Sequence, residues 1–274
     1  MDLWAWLRLL RLTNSLPATG LVLLGAHLTG GWPPSRATLL AASAMWAITS
    51  FGYVTNDLYD IEADRINKPD RPLPSGQINR RSACAVAAIL AASAIALASL
   101  IDMLALTAAC FAIATLMGYN AWLKRTVLIG NLIIATLSGA TLFVGGYTVG
   151  QLRPLLWPSA LVSLFILARE ILKTIEDVPG DRRAGMRTIA TAWGPRWAGR
   201  VFAGVIGGHI IVSVIAYWLA GFSPLYLALV AVMDIGLLYS ALIVTRAPTP
   251  HNARVGLRIS KVGYGLGLLA LLLA

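Results

Sequence analysis

The sequence predicts an all-α, polytopic membrane protein: nine transmembrane helices around a central cavity, forming a single domain over residues 1–274. Three observations predict it. The chain is 58% hydrophobic and only 12% charged, with mean hydropathy +0.73, whereas a soluble domain carries about 25% charged residues. Apolar runs near the ~20 residues that cross hydrocarbon as a helix recur along its whole length. Nine of the twelve carboxylates fall in two short stretches, and the sequence between them is largely apolar.

The elements follow in order. Leu3-Trp4-Ala5-Trp6-Leu7-Arg8-Leu9-Leu10-Arg11 reads as an amphipathic helix lying in the membrane interface, within residues 1–13. Spans are expected near 15–31, 38–58, 82–101, 103–122, 128–148, 154–176, 200–220, 222–245 and 257–274. The first resembles a signal peptide's apolar core in length, but eight further spans follow it, and retention is expected. Long connections are expected at 59–81, 177–199 and 246–256. The first two directly follow the acidic stretches, and connections of that length in a compact protein are usually functional. Asp57, Asp60 and Asp64 end the second span, while Lys173, Asp177 and Asp181 end the sixth at four-residue spacing. This weak echo suggests a quasi-symmetric bundle.

A net charge of +10 would suggest nucleic acid as partner in a soluble protein. Here it reports topology, because short cytoplasmic loops collect Lys and Arg. On this map eighteen of the 22 basic residues lie at the N-terminus or in the loops after spans 2, 4, 6 and 8 with their adjoining helix ends. The N-terminus and both acidic stretches are therefore expected to face the cytoplasm, the C-terminus to lie outside, and no nucleic-acid partner is expected. Cys84 and Cys110 sit in apolar spans and imply no disulfide framework. His27, His209 and His251 match no zinc spacing and read as packed or interfacial side chains.

The acidic stretches carry the chemistry. The first is Asn56-Asp57-Leu58-Tyr59-Asp60-Ile61-Glu62-Ala63-Asp64-Arg65, with Asp70 beyond; the second runs from Glu170 through Glu176, Asp177 and Asp181. Residues at i, i+3 and i+7 share a helical face, so Asp57, Asp60 and Asp64 form one stripe, with Glu62 pointing away from it. Three such carboxylates repel one another unless a cation holds them, and a helix C-terminus adds negative potential. Mg²⁺ takes carboxylate oxygens, keeps several waters and bridges to substrate phosphates. The expected ligand is a diphosphate bridged between metal ions on Asp57, Asp60 and Asp64 and on Asp177 and Asp181. Lys68, Arg71, Lys124 and Arg182 would neutralise its remaining oxygens.

A diphosphate site in an apolar bundle implies a lipidic tail, and an allylic prenyl diphosphate suits both halves. Metal ions stabilise the departing diphosphate, and a dry aromatic channel shelters an allylic cation from water. Phe51, Tyr53, Tyr119 and Tyr147 are candidate walls. Glu170 and Lys173 lie deeper in the sixth span, where charge is costly and points to function; Glu170 is a candidate base or orienter. Asp234, central in the eighth span, has no basic partner near it in sequence. Carboxylates beside Arg and Lys at a helix end also suit a plain interfacial cap, whose ion pairs are worth little. Two such clusters on one side of the membrane favour the site. A cation or phosphate transporter would place its site near the midplane, and these clusters lie at one face.

At these residues the chain resembles the UbiA-type intramembrane prenyltransferases. Asn56-Asp57-x-x-Asp60-x-x-x-Asp64 is similar to the first aspartate-rich motif of that superfamily, and Asp177-x-x-x-Asp181 to the second. Within it, Asp64-Arg65-Ile66-Asn67-Lys68-Pro69-Asp70-Arg71-Pro72-Leu73-Pro74-Ser75-Gly76 resembles the digeranylgeranylglyceryl phosphate synthase branch. So do Arg169-Glu170-Ile171-Leu172-Lys173 and Tyr119-Asn120-x-x-Leu123-Lys124-Arg125. The resemblance implies that Asp57, Asp60, Asp64, Asp177 and Asp181 hold Mg²⁺ and diphosphate. It implies that Asn56, Arg65, Lys68, Arg71, Tyr119 and Lys124 grip the diphosphate or place its allylic carbon, and Asn14, Asn120, Arg169, Lys173 and Arg182 complete the expected substrate set. Geranylgeranyl diphosphate is the implied donor and a geranylgeranylglyceryl phosphate the implied lipid acceptor. Leu12, Pro179 and Ala190 depart from the family pattern. The Asn-Lys-Pro and Arg-Pro-Leu-Pro-Ser-Gly stretch also resembles aromatic, quinone-precursor and chlorophyll prenyltransferases, and a diphosphate cyclase shares the fold.

Overall fold

The structure, a computed structural model, describes residues 3–274. Among them the chain is helical, with no β-strand. Eight helices are long and apolar enough to cross a membrane, and a bent pair near the N-terminus brings the number to as many as nine. The chain is an integral, multi-pass membrane protein.

The chain divides into two compact units. The first comprises the described residues up to Lys124 together with Thr141–Leu152, the second Arg125–Ala140 and Arg153–Ala274. In the first unit, α1 (Leu3–Leu10) and α2 (Leu12–Leu28) form the bent pair, turning by 46° at Arg11. The expected interfacial helix over 1–13 is thus shorter, its first two residues lie outside the described ones, and the first span begins at Leu12 rather than residue 15. α1 buries Ala5 and Leu9 on α3 (Arg36–Tyr59), and Leu3 and Trp4 stay exposed. α4 (Ile61–Asn67) follows α3 after one residue; α5 (Arg80–Ser99) and α6 (Met103–Ala121) pack on α3 and on each other. The starts are local in origin. Ser35, Asn79 and Asp102 accept from the amides of Thr38, Ser82 and Ala105 at 3.1, 2.8 and 2.8 Å, satisfying amides that a helix start leaves without partners.

α7 (Ile129–Val149) gives residues to both units. Its later half approaches α2 closely: a Cβ on Gly25 would meet the Leu142 carbonyl, and one on Gly145 the Val22 carbonyl.

The second unit holds α8 (Leu156–Glu176), the short α9 (Val178–Arg183) and α10 (Ile189–Ala192), then α11 (Pro195–Ala220), α12 (Pro224–Arg246) and α13 (Pro250–Leu272). α8 packs on α11 and α13, and α12 on α11 and α13. The expected connection 246–256 is mostly helix: α12 ends at Arg246, Thr249 caps α13, and Pro250 opens it. Proline suits a first turn because its missing N–H would be unpaired there anyway. Hydropathy did not signal this start because the opening turn, Pro250-His251-Asn252, is polar and lies beyond the apolar run. Ile211, Trp218, Ile235, Leu238 and Val262 are exposed, as lipid-facing side chains are.

Candidate active site

The first unit gathers the first acidic motif at the end of α3. The backbone bonds run on through the junction with α4: the Asp60 amide donates to the Asn56 carbonyl at 3.0 Å, and the Asp64 amide to the Asp60 carbonyl at 2.8 Å. The shared stripe expected of Asp57, Asp60 and Asp64 therefore survives the change of helix, and all three are buried. Glu62 lies on the other side, exposed and paired with Arg65 at 3.0 Å.

Each buried carboxylate meets a cation. Asp57 Oδ1 takes the guanidinium groups of Arg11 and, at 3.2 Å, Arg71. The same Arg71 nitrogen reaches Asp64. Lys124 donates to Asp60 Oδ2, which also accepts from Asn56 Nδ2 at 2.7 Å, and Lys124 reaches Asn56 Oδ1 at 3.1 Å. Asp60 Oδ1 is buried and has no hydrogen-bond partner. Burial pushes the Asp64 carboxyl above its ordinary value, outweighing the opposing pull of Arg71; repulsion from Asp57 and Asp60 adds to the rise. Such a cluster is stable only while its charges are paired.

The long connection delivers Arg71. After α4 the chain turns back on itself, with Ser75 N donating to Arg71 O at 3.0 Å and Ile78 N to Pro72 O at 3.0 Å. Leu73 and Ile78 are buried in a core shared with Leu9, Phe51 and Val54. Gly76 takes a φ of +76° in this turn, a conformation that glycine adopts without penalty.

Other expected residues fall in varied places. Lys68 is partly buried after α4, and Tyr119 is buried near the end of α6. Asn120 is buried and donates to Thr55 Oγ1 at 2.9 Å, joining α6 to α3. Asn14 is exposed, and Arg65 is exposed beside Glu62. Among the candidate walls, Phe51 is buried and Tyr53 lies beneath the Arg11 guanidinium, 4.9 Å from ring centre to carbon. Tyr147 instead donates to Asp102 at 2.6 Å. Its neighbour Thr148 bonds Thr38 in the first turn of α3, so Tyr147 belongs to the end of α3 opposite Asp57.

In the second unit, Lys173 pairs with the buried Glu170 on α8. Arg169 donates to Ser260 Oγ at 2.6 Å, and Arg254 binds Glu176 at 3.0 Å; both join α8 to α13. Asp177 lies at the α8–α9 junction, partly buried, and the buried Asp181 one turn on donates its amide to the Asp177 carbonyl at 3.0 Å. Arg182 is exposed. Asp234 does have neighbours: Ser213 Oγ at 3.3 Å and His209 Nε2 at 3.8 Å. They lie beside an apolar cavity of about 40 Å³ lined by Phe165, His209, Tyr226, Met233 and Tyr264.

Arg11 is absent from the expected site residues. Its pattern with Arg8 reads as the polar face of an interfacial helix, and the departure from helical backbone that turns it toward Asp57 has no signal in side-chain periodicity.

Among the described residues no three Asp, Glu, His or Cys side chains converge to cage a metal. Mg²⁺ requires no such cage, since it binds one or two carboxylates and completes its shell with water and phosphate. The all-oxygen donors and the unbonded Asp60 Oδ1 fit such an ion.

Residues 18–262 match the model of the UbiA prenyltransferase family. A digeranylgeranylglyceryl phosphate synthase of Sulfolobus acidocaldarius is 31% identical over 264 residues, 96% of each chain. A solved structure described as a digeranylgeranylglyceryl phosphate synthase in membranes superposes with TM-score 0.77 at 30% identity, covering 99% of this chain and 98% of that one. A UbiA homologue from Archaeoglobus fulgidus bound to GPP and Mg²⁺ superposes with TM-score 0.66 at 18% identity, covering 97% and 99%.

Proposed function

This chain belongs to the UbiA prenyltransferase family, and on that premise we propose that it is a Mg²⁺-dependent geranylgeranyltransferase acting on a glycerophosphate lipid. The donor is geranylgeranyl diphosphate and the acceptor the free hydroxyl of geranylgeranylglyceryl phosphate. The observation that carries this reading is the trio Asp57, Asp60 and Asp64, buried among apolar helices and each held by Arg or Lys. The relatives named for this activity and the homologue bound to GPP and Mg²⁺ support it.

In the reaction the allylic C–O bond breaks and diphosphate leaves with the electron pair. The acceptor oxygen forms the new ether bond and gives up its proton. The first motif, Asp57, Asp60 and Asp64, would supply one or two carboxylates to one Mg²⁺, and Asp177 and Asp181 are the second carboxylate set. Bound Mg²⁺ supplies neutralisation of the charge on the leaving diphosphate. Lys124 and Asn56 keep Asp60 in place, Arg71 ties Asp57 to Asp64, and Lys68 and Tyr119 are proposed diphosphate contacts. Glu170, fixed by Lys173, is the proposed proton acceptor. The buried apolar surroundings of the first motif exclude water that would otherwise quench an allylic cation. The distribution of basic residues supports a cytoplasmic N-terminus and a site open to the cytoplasm.

The test is purified protein with labelled geranylgeranyl diphosphate, Mg²⁺ and a panel of glycerophosphate and aromatic acceptors, with products weighed by mass spectrometry. The expected product carries two geranylgeranyl ethers on glycerol phosphate. An aromatic product, or turnover that survives both Asp57→Ala and Asp177→Ala, would overturn the reading.

A further inference from the structure

The chain from Arg182 to Met233 contains no carboxylate, yet its opening stretch holds five arginines, Arg182, Arg183, Arg187, Arg196 and Arg200. All five are exposed, and among the described residues none of them pairs with an acid. Trp193 and Trp197 stand out beside the last two, each 54% exposed. The two indoles line a shallow cleft of about 350 Å³.

The patch is set by local structure at the start of α11. Gly194 takes a φ of +91° between α10 and α11, and Pro195 opens α11. Ala198, Gly199 and Phe202 are buried, so Arg196, Trp197 and Arg200 occupy the opposite face of the helix. α11 has 26 residues, a length of roughly 39 Å at ~1.5 Å per residue, against ~30 Å of hydrocarbon. About six residues therefore lie outside the apolar layer. Guanidinium groups are costly inside it, which puts the surplus at Pro195–Arg200. Trp193, Arg196, Trp197 and Arg200 thus sit in the headgroup layer, where tryptophan concentrates.

Charge selects what fits there. The Arg200 guanidinium carbon lies 5.1 Å from the centre of the Trp197 ring. That stacking occupies a ring face that a choline-type cation would otherwise use. It leaves the edge N–H groups of the guanidinium free to donate to a phosphate in pairs. Arg196, one turn earlier on the same face, offers a second such fork. Two guanidinium groups without a counter-ion repel a trimethylammonium headgroup and attract a phosphate. The cleft between the indoles suits the less polar glycerol end of the same molecule.

We propose that Trp193, Arg196, Trp197 and Arg200 form a binding site for the headgroup of an anionic phospholipid of the bilayer. The phosphate lies on Arg196 and Arg200, and the glycerol end lies between the two indoles. The proposal goes beyond the transferase reading and does not depend on it.

The test is titration of the purified protein, in an uncharged detergent, with phosphatidylglycerol or phosphatidylcholine, bound lipids being counted by native mass spectrometry. Phosphatidylglycerol should bind wild type at least tenfold more tightly than phosphatidylcholine. Each basic group beside an anionic headgroup is worth roughly fivefold, so Arg196→Gln with Arg200→Gln should weaken phosphatidylglycerol by about twenty-five-fold. Arg196→Lys with Arg200→Lys keeps the charge and loses the fork, and should fall between. Arg80→Gln with Arg81→Gln removes as much exposed charge at the start of α5 and should match wild type.

Equal affinity for the two lipids would overturn the proposal, leaving an aromatic belt with no charge selection. An equal loss in the Arg80 and Arg81 variant would also overturn it, since binding would then follow total charge. Displacement of the lipid by millimolar inorganic phosphate would do the same, reducing the patch to a free-anion site. So would wild-type protein that retains no phosphatidylglycerol. None of these results touches prenyl transfer, which is read separately by the product assay.

Discussion

Asp60 differs from the other two carboxylates of its motif in having a buried oxygen with nothing to bond. An unsatisfied buried acceptor costs about 1–3 kcal/mol, a cost that a ligand binding there would remove. Asp60→Asn keeps the shape and removes the charge, so turnover in the prenyl-transfer assay should fall by about a hundredfold or more. Arg71 is the structural counterpart: it neutralises both Asp57 and Asp64. Arg71→Gln leaves buried carboxylates short of positive charge, a change that costs about 3–5 kcal/mol. Its melting temperature should drop well below that of wild type, and Mg²⁺ with pyrophosphate should restore part of the loss. Most of this residue-level picture was legible as composition: Asp57, Asp60, Asp64, Arg71 and Lys124 are all picked out by spacing and charge. The pairing was not legible. Lys124 is 64 residues from Asp60, and Arg11 is 46 from Asp57, separations on which helical periodicity is silent.

At the scale of helices, close approach and capping decide what varies without loss. α2 and the later half of α7 meet through Gly25 and Gly145, whose added Cβ atoms would run into backbone carbonyls. Gly25→Ala or Gly145→Ala should therefore destabilise by about 1–3 kcal/mol, read as earlier thermal aggregation of detergent-solubilised protein. Asp102 caps α6 through the Ala105 amide and accepts from Tyr147 at 2.6 Å. The Tyr147 hydroxyl, then the Ala105 amide, hold its carboxyl below the ordinary 3.8. A depressed carboxyl stabilises the fold above its unfolded pKa and loses that contribution as pH falls through the folded one. Tyr147→Phe should thus lower the melting temperature at neutral pH, and the difference should shrink below about pH 4. Element existence was readable from hydropathy. Element ends were less so, because the break at Arg11 and the early start of α13 depend on backbone geometry and capping, not on apolar content.

Across the whole molecule, the chain's charge asymmetry and its odd number of expected spans make a topological prediction. With nine spans and a cytoplasmic N-terminus, alkaline phosphatase fused after Ala274 should be active in a bacterial host, and a green fluorescent protein fused there should stay dark. The reverse result would remove a span from the map or invert it. The sequence by itself determined that this is a membrane-embedded helical protein with two acidic motifs at helix ends. Apolar content, i+3 and i+4 spacing and the bias of Lys and Arg are local or compositional properties, written in the chain before it folds. Only the tertiary structure decided that Arg11 pairs with Asp57, that Tyr147 serves the other end of α3, and that the Asn120 amide nitrogen joins α6 to α3. Each depends on where a helix bends or which face it buries, and those are settled when distant segments pack.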